Sequence, residues 1–203
     1  MSSEIPKQAI EIYMEQTPNP EALKFVTNIL LLPQGSVNYP NKEAALYCPL
    51  AYQLFDFSGV TNIFITTNFV TVTKNAAIDW WEIQNIIREF IRGFLIAGDA
   101  VFTRNPLPDA DTKPTQVKSE VLEQPIAKGP IDDKIIALLD EYVRPAVAQD
   151  GGAIDFKSFN DGVVTLTLKG SCSGCPSSTQ TLKAGIERLL TQMLPEVTEV
   201  VAE

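Results

Sequence analysis

Hydrophobic and polar positions divide the chain into two regularly patterned stretches with an unpatterned one between them. In the first, "AIEIYMEQ" and "LKFVTNILLL" read as strands joined through the turn-rich Thr17-Pro18-Asn19-Pro20. A helical piece around Pro49 to Phe55 follows, and then "VTNIFITTNFVTVTK" reads as a hairpin turning near Thr67 and Asn68. The next helix starts at Asp79, an N-cap candidate with Glu82 at capping-box spacing. Its positions Trp80, Ile83, Ile87, Phe90 and Phe94 recur every three or four residues and predict one buried face.

The second stretch opens with "IDDKIIALLDEYVRPAVAQ", where Ile135, Leu138, Leu139, Tyr142 and Val143 fall at helical spacing. Pro145 removes a backbone donor and should kink or end that helix. The strands "AIDFKSF" and "VVTLTLKG" flank Asn160-Asp161-Gly162, a strong hairpin signal. The second of them runs straight into "GSCSGCPSS", and Pro176 suits the first position of the helix beyond. Leu182, Ile186, Leu189, Leu190 and Met193 give that helix an apolar face, and "EVTEVV" predicts a last short strand. Between the two stretches, Thr103 to Pro130 holds five of the fourteen prolines and no sustained period, so it reads as a linker. The expected architecture is two small α+β domains, residues 1–102 and 131–203, joined by a Pro-rich linker at 103–130, with helix-hairpin-helix-strand order in the second.

Composition narrows the function. The net charge is −9 and no basic cluster interrupts it, which argues against nucleic acid as a partner. The longest apolar stretches fall short of the roughly 20 residues that span a bilayer, so no membrane partner is expected. No leader pattern is visible at the N-terminus, which favours a reducing compartment: a bacterial cytoplasm first, a mitochondrial matrix after presequence removal second. Three cysteines are too few for a disulfide framework, and the chain has no histidine. Ser-His-Asp and Cys-His catalysis are thereby excluded within one chain.

The first half offers little chemistry. Trp80 and Trp81 could form a recognition surface, but Trp80 lies on the apolar stripe and core packing is expected. Cys48 could be a third ligand or a reactive thiol, with a small buried hydrophobe the favoured reading. This half resembles a binding or regulatory module.

The chemistry concentrates at Cys172 and Cys175, in the loop between a strand and a helix. Helix-terminal N–H groups and the dipole stabilise negative charge there, so thiolate pKa values should fall. A tetrahedral zinc site or an iron-sulfur cluster normally takes roughly four protein ligands. This loop supplies two, so the simplest closed solution is two chains, each giving Cys172 and Cys175 to one centre on a two-fold axis. Such a centre would lie exposed at a subunit edge. A thioredoxin-like dithiol remains a rival, although the element order is not that fold's βαβ pattern; a zinc-bridged structural dimer is a third reading.

"RPAVAQDGGAIDF", "VTLTLKGSCSGCPSSTQTLKAGIERLL" and "LPEVTEV" together resemble the C-terminal domain of the NifU and Nfu family of iron-sulfur cluster proteins. The first half is similar to the Nfu N-terminal domain through "QTPNPEALKF", "CPLAYQLFDFSGVTNIFITTNFVTVTK" and "DW". The resemblance implies a non-enzymatic scaffold or carrier that holds a [4Fe-4S] cluster, or a [2Fe-2S] one, between two subunits. It also implies Cys172 and Cys175 as the cluster ligands, upstream assembly proteins as donors, and apo iron-sulfur proteins as recipients. Cys48 departs from the serine associated with this family at "SPLA". Asp150-Gly151-Gly152 fits the family pattern, and a tight turn after a helix is expected there.

Overall fold

The computed structural model describes residues 9–106, 129–172 and 176–202; for Pro130 and residues 176–178 only the backbone is described. Both halves are α+β. The first half forms a five-stranded antiparallel sheet in the order β1-β2-β5-β4-β3. Its strands are β1 (Ile12–Gln16), β2 (Ala22–Thr27), β3 (Ser36–Tyr39), β4 (Val60–Thr66) and β5 (Phe69–Lys74). Two helices, α1 (Pro49–Leu54) and α2 (Trp80–Ala97), cover one face of this sheet.

Alternation along the strands decides which side chains meet those helices. Leu23 and Phe25 of β2, Ile63 and Ile65 of β4, and Val70 and Val72 of β5 are buried with Ile87, Ile91 and Phe94 of α2. The helical stripe from Trp80 to Phe94 enters this core as its spacing requires. Asp79 occupies the N-cap position but makes no side-chain cap bond; the Glu82 amide donates to the Asp79 carbonyl at 3.1 Å instead. After α2 the chain runs back over this core, with Val101 and Phe102 packed on it and the Thr103 amide donating to the Tyr47 carbonyl.

The second half carries a three-stranded sheet, β6 (Gly152–Asn160), β7 (Val163–Gly170) and β8 (Glu199–Ala202), in that order. β6 and β7 are the expected hairpin, and β8 joins β7 in parallel after the crossover helix α5 (Pro176–Met193). The helical segment before β6 does not end at Pro145. It runs as α3 (Pro130–Leu138), a π-helical turn (Leu139–Val143) and α4 (Arg144–Gln149). The wider π turn makes room for the proline ring, which then sits in the first turn of α4 where its missing N–H is not needed. That turn also breaks the 3.6 period, so Tyr142, on the expected apolar face, is half exposed while Leu139 and Val143 stay buried. Ile135, Leu139, Val147, Ile154, Val164, Leu166, Ile186 and Leu190 form this second core.

Candidate functional site

β7 ends at Gly170, whose φ of 68° belongs to the left-handed region, and the chain turns there into Ser171 and Cys172. The turn is seated on the loop that follows α4. Gly152 pairs with Gly170 across the hairpin, and a side chain on either would collide with the other loop. A Cβ on Gly152 would stand 2.7 Å from Cys172 Sγ and 2.6 Å from the Lys169 carbonyl oxygen, while one on Gly170 would stand 2.7 Å from the Gly151 carbonyl oxygen. The Ser171 hydroxyl donates to the Asp150 carbonyl, and its amide to the Gly151 carbonyl at 3.3 Å. From the far side, Thr179 Oγ1 in the first turn of α5 donates to the Cys172 carbonyl at 3.0 Å. Asp150-Gly151-Gly152 is therefore a turn after a helix, as expected, and in addition the bed on which Cys172 lies.

One expectation for this thiol is corrected. Cys172 is only 7% exposed, because it packs into the second core beside Gly152. Its pKa is raised, not lowered: burial disfavours the thiolate most, the neighbouring Ser171 hydroxyl opposes that, and the Asp150 charge adds to it. A cavity of about 420 Å³ opens beside the thiol, walled by Pro18 and Asn19 of the first domain and by Asp150, Ser171 and Leu182 of the second.

Cys175 lies outside the described residues. Cys48 is fully buried in the first core at the start of α1, in a different core from Cys172, and both are free thiols. Burial raises the Cys48 pKa, and the thiol and the Tyr39 hydroxyl hydrogen-bond one another. The structure does not bring Cys48 to the cysteine turn; it is the small buried hydrophobe. Among the described residues no cluster of three or more His, Cys, Asp or Glu side chains could hold a metal ion, and no helix is long and apolar enough to cross a membrane.

Residues 12–98 match the scaffold protein Nfu/NifU N-terminal domain family, and residues 135–201 match the NifU-like domain family. The chain is 38% identical over 197 residues to the human "NFU1 iron-sulfur cluster scaffold homolog, mitochondrial", covering 95% of this chain and 71% of that protein. This chain belongs to the Nfu family of iron-sulfur cluster scaffold proteins. A NifU-like protein of Schizosaccharomyces pombe is 35% identical over 202 residues, covering 96% and 73% of the two chains. A solution NMR structure of a NifU-like protein from Saccharomyces cerevisiae, 26% identical, covers 51% of this chain and 93% of its own, with a TM-score of 0.45.

As an Nfu scaffold, the chain carries its cysteine turn on the NifU-like domain and part of that turn's surroundings on the other. Sequence reasoning missed Asn19, Thr71 and Asn38 as neighbours of the turn. The Asn19 side-chain amide donates to the Ser171 carbonyl at 3.1 Å, and Thr71 Oγ1 to the Gly151 carbonyl at 2.7 Å. Asn38 Oδ1 accepts from the Gly170 amide at 3.2 Å. The available signal was indirect: a polar turn residue and two polar side chains within strands.

Proposed function

We propose that this Nfu scaffold takes up an iron-sulfur cluster, [4Fe-4S] in the first instance and [2Fe-2S] as the smaller form, through Cys172 and Cys175 from each of two chains. The cluster is cargo, received from upstream assembly proteins and passed to apo-proteins by exchange of these thiolates for the recipient's. No substrate is covalently turned over, so the protein is a carrier and not an enzyme. The observation that carries the reading is the seating of Cys172 at the end of β7, on paired glycines whose missing side chains leave room for its sulfur.

Ligand supply supports a two-chain site, since one chain offers two thiols in the turn and no histidine. Each chain contributes what its own residues hold: Ser171 a hydroxyl 3.8 Å from Cys172 Sγ, and Asp150 and Gly151 the main-chain anchors of the turn. Because burial keeps the Cys172 thiol protonated, ligation releases a proton and is favoured by rising pH. The reading is of two domains, 1–102 and 131–203, joined at 103–130, in a reducing compartment where Cys48 and Cys172 stay free. A bacterial cytoplasm comes first and a mitochondrial matrix second.

Anaerobic reconstitution with iron and sulfide followed by metal analysis tests this. About four irons per two chains are expected, with no zinc, and Cys172→Ala or Cys175→Ala abolishes uptake. Unchanged iron content in Cys172→Ala would sink the proposal.

A further inference from the structure

One face of the first sheet packs on α1 and α2; the opposite face of an antiparallel sheet is commonly solvated. Here it is not. Phe64 is fully buried and Phe69 nearly so, and neither belongs to the core under the helices. Pairing registers align Lys24, Thr71, Phe64 and Asn38 as one row across β2, β5, β4 and β3. Every member of that row meets the loops that hold Cys172. Lys24 Nζ donates to the Gln149 carbonyl at the end of α4 at 3.2 Å, where a cation also suits the helix dipole. Thr71 donates to the Gly151 carbonyl, a Cβ added to Gly170 would stand 3.0 Å from the Phe64 ring, and Asn38 accepts from the Gly170 amide. Asn19, just before β2, adds the bond to the Ser171 carbonyl.

From this juxtaposition we infer that the row Lys24–Thr71–Phe64–Asn38 is a docking surface for the chain's own cysteine turn, and that the N-terminal domain covers Cys172 until a cluster is loaded. The inference rests on the scaffold reading above. The partners on the turn are main-chain groups: Gln149, Gly151 and Ser171 carbonyls and the Gly170 amide. Water can replace each of these hydrogen bonds when the domains part, and the apolar part of the row is Phe64 beneath Gly170. While the contact is made, Pro18 and Asn19 wall the cavity beside Cys172. On the scaffold reading, that wall stands where a second chain would approach Cys172. The N-terminal domain is thus a cover on the ligand turn, and its sheet face becomes free when two chains pair.

The test compares the full chain with Thr71→Val/Asn38→Ala. Valine keeps the shape and strand preference of threonine while removing the hydroxyl donor. Small-angle scattering of the metal-free proteins should show a compact wild type and a variant whose radius of gyration is larger by several ångströms. On anaerobic addition of ferrous iron and sulfide the variant should load several-fold faster and reach the same final iron content. Should circular dichroism show that the double variant is unfolded, Lys24→Met gives the same two readings. A wild type as extended as the variant overturns the docking. An expanded variant that loads no faster overturns the cover while leaving the scaffold reading intact. Absence of iron uptake in both proteins instead overturns the scaffold reading, and the scattering still decides whether the domains dock.

Discussion

Asn38 and Gly170 stand 132 residues apart in sequence, yet the Asn38 side-chain oxygen accepts the Gly170 amide hydrogen at 3.2 Å. Asn38 sits on edge strand β3, and the Asn62 side-chain amide donates to the same oxygen from β4 at 3.0 Å. Asn38→Ala therefore removes the acceptor of two donors at once. Amide hydrogen exchange at Gly170 should quicken, while exchange in the middle of β7 keeps its rate. The cost to stability should be about 1–3 kcal/mol, two such bonds at roughly 0.5–1.5 kcal/mol each.

The chain contains an internal control for the close approach at Gly152. A Cβ there meets a backbone oxygen at 2.6 Å and Cys172 Sγ at 2.7 Å, whereas a Cβ on Gly185 in α5 meets nothing within 4 Å. Gly152→Ala should destabilise the second domain by about 1–3 kcal/mol, as overpacking does, and lower cluster uptake by displacing the thiol. Gly185→Ala should raise stability by roughly 0.5–1 kcal/mol through helix propensity. Thermal unfolding of the two variants checks both signs, and equal shifts would show that the cysteine turn is not tightly seated.

Cys48 and Tyr39 make the first core sensitive to alkali. Burial raises both pKa values above their ordinary values of 9.0 and 10.0. A group with a raised folded pKa gives stability that is present below its unfolded pKa and lost as pH climbs towards the folded one. Stability should accordingly hold through neutral pH and fall above about pH 9. Denaturant titrations between pH 7 and 10.5 should show that decline, shallower in Cys48→Ala and in Tyr39→Phe. Native Cys48 should also resist iodoacetamide at pH 8, with alkylation appearing on unfolding.

Trp80 and Trp81 are neighbours with opposite environments. Trp80 packs on the first core, meets Phe25 edge-on with ring centroids 6.4 Å apart, and donates its ring N–H to the Pro20 carbonyl at 3.1 Å. Trp81 is 85% exposed. Trp80→Phe should cost about 1–2 kcal/mol through the lost bond and volume, and Trp81→Ala should stay within about 0.5 kcal/mol. Fluorescence of the single-tryptophan variants should be blue-shifted for Trp80 and red, readily quenched by iodide, for Trp81.

What the sequence determined by itself was local. The stripe from Trp80 to Phe94, the Asn160-Asp161-Gly162 hairpin and a cysteine turn between a strand and a helix are all visible because period and turn chemistry act over a few residues. Locality also set the failures. The short edge strand β3 shows no alternation to read, and Tyr142 and Met193 fit an apolar spacing yet are exposed, Tyr142 because the π turn rotates it outward. The direction of the Cys172 pKa shift differs from expectation for a related reason: a helix start lowers a thiol pKa, but burial against Gly152 and the second core raises this one. Only the tertiary structure could decide that, and only it could show what covers the far face of the first sheet. Lys24, Thr71, Phe64 and Asn38 become one surface through strand register, and that surface becomes an interface because turns more than 75 residues further along the chain fold back onto it.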